Sequence, residues 1–208
     1  MEVRRMLFLK FKKTIVTILV VLSFTIGAST SFAYTIWYEG GFRPTPTVVH
    51  PLSTFDSSSK TAMTNAAAQW NNAGAGTLVT IGSNTSNNTY PNKNSKNEVS
   101  KGYRGTNEYL MQANPTTTSW VWTGDSNTWY SHTLNEVDID VNISYAWGNN
   151  GSSNLYDVGQ VFTHELGHLL GLHHSNVSGA TMWSGSAPGE TYKRTIEADD
   201  KQGILHLY

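Results

Sequence analysis

His164-Glu165-Leu166-Gly167-His168 places two imidazoles one helical turn apart with a carboxylate between them. At ~100° per residue, positions i and i+4 lie about 40° apart on one side of a helix, so both rings can reach one metal ion. Glu165 then stands close enough to act on a water at that ion without ligating it, which is the arrangement for hydrolysis by metal-activated water. The string runs on through Gly171 to His174, giving HExxHxxGxxH. Gly171 falls where the helix must stop, and a glycine in the left-handed region turns the chain there. That turn brings His174 round as the third ligand. His173 is the competitor, but the spacing selects His174 and leaves His173 as a neighbour. Three imidazoles with the fourth position left to water make a catalytic zinc site. The chain has no cysteine, so every metal ligand must be His, Asp or Glu.

The elements that must hold these residues are legible to different degrees. Asp157 caps the metal-site helix, with Gln160 three residues on at the capping-box spacing. Val158, Val161, Phe162, Leu166 and Leu169 mark one apolar face, and the His164/His168 pair points roughly 110° away from it, as a cleft requires. An earlier helix is predicted from Met63, Ala66, Ala67 and Trp70, beginning near Asp56 or the serines that follow it and stopping at Asn71-Asn72-Ala73-Gly74. Ile196 to Tyr208 reads as a C-terminal helix with Ile204, Leu205 and Leu207 to bury. Strands are expected at Tyr34 to Tyr38, Leu78 to Ile81, Glu108 to Gln112, Ser119 to Trp122 and Val137 to Ile143. In the last, apolar residues alternate with Asp138, Asp140 and Asn142, the pattern of a half-buried strand with a wet face. Ser83 to Lys101 is rich in Asn, Ser, Thr and Lys and reads as a long surface loop.

HELGHLLGLHHS followed by Ala180-Thr181-Met182 resembles the metzincin metallopeptidases, and within them the matrixins. The resemblance implies an α+β, metzincin-type zincin domain: a twisted mixed β-sheet of about five strands with an active-site helix, a helix in the N-terminal half and a C-terminal helix. It implies zinc on His164, His168 and His174, Glu165 as the catalytic residue, and structural support of the site from Gly171 and Met182. Met182 stands eight residues past His174, where the family places a turn that forms a hydrophobic floor beneath the metal. Asp199-Asp200-Lys201-Gln202-Gly203-Ile204 is similar to the family's C-terminal helix, in which one aspartate pairs with the mature N-terminal ammonium and the other supports the methionine turn. The sequence departs from the pattern after the methionine, where Trp183-Ser184 replaces Tyr-Pro and leaves the wall of the adjoining pocket unread. The His and Asp cluster that holds a second, structural zinc in animal matrixins is missing; His50, His132 and His206 read as ordinary histidines. Asp125, Glu136, Asp138, Asp140 and Asp157 offer oxygens for Ca2+, with solvated strand faces and loops the plainer reading.

Residues 1–33 have a different character. Arg4, Arg5, Lys10, Lys12 and Lys13 precede an apolar run from Ile15 to Ile26, and small residues lead to Ser31-Phe32-Ala33. This is the order of a secretory signal peptide cut after Ala33, and the apolar run is shorter than the ~20 residues of a membrane span. The expected mature chain, 34–208, is one catalytic domain, secreted and extracellular, with no membrane association after signal cleavage. Five of the 14 basic and one of the 15 acidic residues leave with the signal, so the net charge moves from −1 to −5. A mildly acidic, unpatterned surface argues against a nucleic-acid partner, and a monomer acting on protein or peptide substrates is expected. With no cysteine to occupy the zinc and only Tyr34 between the cleavage site and the first strand, signal removal is expected to give the active form directly.

The function these features define is a secreted zinc endopeptidase with a glutamate general base. Two alternatives stand beside it: a zinc hydrolase of cell-wall peptides, and a non-catalytic zinc-binding module on the same scaffold. Glu165 argues against the last, since a pure binding site has no use for a base.

Overall fold

A computed structural model describes residues 34–37, 46–117, 120–122, 129–131 and 134–208. The expected signal peptide lies outside them, as do Tyr38, Asp125 and His132. In chain order the elements are β1 (Thr47–Pro51), α1 (Ser57–Asn71), β2 (Val79–Ile81), β3 (Asn97–Gly102), β4 (Met111–Thr117), β5 (Trp120–Trp122), β6 (Trp129–Ser131), β7 (Leu134–Asn142), β8 (Trp147–Gly148) and β9 (Tyr156–Asp157). Helix α2 (Val158–Leu169) follows, then a 3-10 turn at Tyr192–Arg194 and helix α3 (Ala198–Leu207). Five strands form a mixed sheet in the order β2-β1-β3-β7-β4. Its pairings are parallel except for β4, which runs antiparallel to β7 at the outer edge. The α+β class with a five-stranded mixed sheet and three helices is the one expected. No helix among the described residues is long and apolar enough to cross a membrane.

One face of the sheet carries the apolar core. Val49, Val99, Val137, Ile139 and Val141 meet Met63, Ala67 and Trp70 of α1 and Phe162, Leu166 and Leu169 of α2. Trp70 is fully buried, and its Nε1 donates to the Thr163 carbonyl at 2.8 Å, which ties α1 to the middle of α2. A buried indole N–H needs such a partner.

The opposite face differs from expectation. Asp138, Asp140 and Asn142 are not wet: they are 2 %, 0 % and 0 % exposed. The segment expected to be loop throughout contains β3, which pairs with both β1 and β7, and the remainder of that segment covers the polar face. The Asn92 N–H donates to Asp138 Oδ2 at 2.6 Å, and the Glu98 N–H to Asp138 Oδ1 at 3.0 Å. Backbone N–H groups of Asn94, Ser95 and Lys96 converge on Glu136 Oε2. Asp140 is held by Ser100 Oγ at 2.6 Å and by the Arg104 guanidinium at 2.7 Å. Buried carboxylates require donors, and β3 with its flanking loop supplies them. That is why a strand so poor in apolar residues is central.

Smaller differences follow the same logic. The strand expected from Glu108 begins at Met111 and runs on to Thr117, against β7. From the expected first strand, Ile36 makes an antiparallel bridge to Leu172. In α3, Ile204 and Leu207 are buried, but Leu205 is 47 % exposed, because the helix offers the core only one side.

Candidate metal centre

Helix α2 starts at Asp157, whose Oδ1 accepts from the Gln160 N–H at 2.8 Å. The capping box is one-sided. The Gln160 side chain reaches Ser186 Oγ at 2.9 Å, while Asp157 also takes a bidentate pair from Arg194. All twelve residues of α2 are buried, so the side bearing the histidines is covered as well. The helix ends in a Schellman turn: the Leu172 N–H bonds the Gly167 carbonyl and the Gly171 N–H the His168 carbonyl, with Gly171 at φ 105°. That conformation strains any residue with a Cβ.

Beyond the turn the chain is strapped down. The Trp37 N–H donates to the Gly171 carbonyl, the His173 N–H to the Thr35 carbonyl, and Thr35 Oγ1 to the His174 carbonyl. The rings of His164, His168 and His174 meet, with candidate ligand atoms all within 4.8 Å of one another. His173 stays outside this group and lies edge-on to Trp37, centroids 5.6 Å apart. His164 Nδ1 donates to the Thr181 carbonyl at 2.7 Å, and His168 Nδ1 to the Leu172 carbonyl at 2.8 Å. A carbonyl can only accept, so these bonds place the proton on Nδ1 and leave Nε2 with its lone pair free for a metal. Burial pushes His164 down to about 3 and His168 well below the ordinary range, and lowers His174 too. All three are therefore neutral at pH 7, as metal ligation demands.

Met182 is 1 % exposed and packs against the back of α2. A Cβ built at Gly167 would lie 2.2 Å from Met182 Sδ and 2.9 Å from Trp70 Cζ2. The turn around Met182 is fixed by Asp200, which accepts from the N–H groups of Thr181 at 2.8 Å and Met182 at 3.0 Å. Asp199 takes the Ser175 hydroxyl at 2.6 Å.

Glu165 is 5 % exposed, and its Oε2 accepts from the Ala113 N–H of β4 at 2.7 Å. Burial pushes its carboxyl up to about 8, against the pull of that bond. A divalent cation held by the adjacent histidines would pull it down again. The three histidines and Glu165 open into a cleft of about 330 Å³. Leu110 to Ala113, at the β4 edge of the sheet, form one wall, and Trp183 to Ser186 form the other. Trp37 and Lys193 also line it.

The proposed calcium ligands are placed otherwise. Glu136, Asp138, Asp140 and Asp157 are buried and engaged by donors of the chain itself, Glu136 through Oε2 alone, and among the described residues His164, His168 and His174 are the one group of three or more His, Cys, Asp or Glu side chains close enough to share an ion. His50 bonds the Ser83 carbonyl, and His206 lies against Tyr34. Sequence reading missed Ala113, Thr35 and Lys193. Each enters the site through sheet order or a loop crossing, and no local spacing signals it.

An apolar-backed helix carrying two histidines and a buried carboxylate tied to an edge strand, a third histidine past a glycine turn, and a methionine turn together define a zincin-type metal centre. The matrixin family model matches residues 59–208, and the chain belongs to the matrixin family of zinc metallopeptidases. Stromelysin-3 of Xenopus laevis is 38% identical over 87 residues, covering 40% of this chain and 17% of that protein. Metalloendoproteinase 1-MMP of Arabidopsis thaliana is 46% identical over 59 residues, 28% of this chain and 16% of its own length. Karilysin of Tannerella forsythia is 44% identical over 63 residues, 30% and 12% respectively. The matched stretches thus span under a fifth of these relatives. Zinc is the family's cofactor and the donor set here fits it: three neutral imidazoles, two of them oriented by backbone carbonyls, and no thiolate.

Proposed function

We propose that this protein is a secreted zinc endopeptidase, with His164, His168 and His174 as the ligands and Glu165 as the general base. The observation that carries the reading is the Glu165 carboxylate, pinned by the Ala113 N–H beside three neutral imidazoles. Zinc held there supplies a Lewis acid and acidifies a water. Glu165 takes the proton of the attacking water and hands it to the leaving amine. Its bond to β4 fixes the carboxylate relative to the strand on which an extended peptide aligns, so base and scissile bond share one reference. Gly171 turns the chain to deliver His174, and Met182 fills the space behind α2. Secretion, with cleavage after Ala33, rests on the cationic, apolar and small-residue order of residues 1–33.

Glu165→Ala tests the base. The variant is expected to keep its zinc, measured by metal analysis, while kcat/KM on casein or gelatin falls by several orders of magnitude. Undiminished proteolysis would remove Glu165 from the mechanism.

A further inference from the structure

We propose that Lys193 selects substrates bearing a carboxylate next to the scissile bond, receiving it on an ammonium group in the wall of the cleft. The proposal rests on the peptidase reading above and names its substrate class. Lys193 lines the same cleft as the three histidines and Glu165, yet it is only 2 % exposed. The ion pairs among the described residues are Arg104–Asp140 and Arg194–Asp157, so this buried cation has no carboxylate at contact. An ammonium has three N–H donors. Two of them go to the carbonyls of Trp183, at 2.6 Å, and Gly185, both in the wall of the cleft. One donor remains, and the charge is met only at longer range, by Glu190, Asp200 and the Tyr192 ring 5.6 Å away. Burying an ammonium with no anion in contact is unfavourable, and a substrate carboxylate entering the cleft would relieve that cost. An uncharged side chain of the same shape would not.

The surroundings agree. Gln160 and Ser186, bonded to each other at 2.9 Å, share this end of the cleft, and the Lys193 N–H donates to Gln160 Oε1. The two carbonyls fix Nζ before any ligand arrives, which reduces the entropy lost on binding. The carboxylate has two sources: the side chain of Asp or Glu beside the bond, or the free C-terminus of a peptide cut one residue from its end.

Peptides of one sequence with Glu, Gln or Leu on either side of the scissile bond, and peptides ending one residue beyond it as acid or amide, separate the two. Cleavage would be followed by mass spectrometry. The zinc-loaded protein is expected to favour Glu over Gln, or acid over amide, by about tenfold or more in kcat/KM, mainly through KM. Lys193→Met should bring that ratio close to one, and Lys193→Arg should keep it. Equal rates on charged and neutral members of both pairs in the wild type overturn the proposal. So does a Lys193→Met protein that slows on every peptide alike with the ratio preserved, which marks a mere tie for the 183–185 wall. Should Lys193→Met not fold, the wild-type ratios and Lys193→Arg decide. Cleavage of casein without an acidic preference defeats only this inference, whereas no cleavage of any substrate defeats the proposed function as well.

Discussion

Gly167 shows how tightly single residues are constrained around the metal centre. It lies between His164 and His168 in the chain but faces backward, where Met182 Sδ and Trp70 Cζ2 leave no space for a methyl group. The methionine end can shift, but Met182 is buried and its backbone is bonded to Asp200, while Trp70 is held by Thr163. Gly167→Ala is therefore expected to cost about 1–3 kcal/mol through overpacking, although alanine is the better helix former. The displaced Thr181–Met182 turn should also loosen zinc, since the Thr181 carbonyl orients His164. Gly179→Ala is the matched control, with nothing within 4 Å of its added Cβ. Urea unfolding and zinc competition on both variants check this; equal stability of the two would refute the packing account.

At the scale of elements, α1 offers a test with a pH signature. Asp56 accepts from the Ser59 N–H at 2.8 Å and from the Ser59 hydroxyl, and these bonds hold its carboxyl down at about 2 against an ordinary 3.8. With the folded value below the unfolded one, the stabilisation is complete above about pH 4 and fades as pH falls towards 2. Asp56→Ala should cost about 1 kcal/mol at pH 7, and its gap to the wild type should narrow between pH 5 and 2. Asp56→Asn keeps an acceptor but does not titrate, so it should lose little at any pH. A gap independent of pH would count against the cap. The start of α1 was legible in sequence to within Asp56 or the serines after it, because capping is local chemistry; Asp157, Gly171 and the histidine spacing were legible for the same reason. β3 was not, because Glu98 and Ser100 look solvated until β7 and the covering loop are placed against them. A period-two pattern separates the two faces of β7 but does not tell water from a polar lid. The Glu165–Ala113 bond was hidden for a related reason, since it depends on which strand ends the sheet.

Across the whole molecule, the three histidines join parts distant in sequence. His164 and His168 belong to α2, while His174 follows a turn whose backbone is bonded to residues 35 and 37. The Met182 turn that orients His164 is anchored to α3 through Asp200. A ligand that binds only the assembled arrangement stabilises all of it, by about 4 kcal/mol at a free concentration one thousand times its dissociation constant. For a domain of this size each kcal/mol is worth about 2–4 °C in Tm, so chelation should lower Tm by about 10 °C and added zinc should restore it. His174→Ala, which removes a ligand from the exposed side of the site, should melt near the chelated wild type and gain little from zinc. His50→Ala, which removes a histidine outside the group of three, bonded to the Ser83 carbonyl, should keep the full zinc-dependent rise. Calorimetry with chelator, with zinc and with each variant makes the comparison. A wild-type Tm indifferent to zinc would mean that the three histidines do not couple the turn, α2 and α3 through a metal.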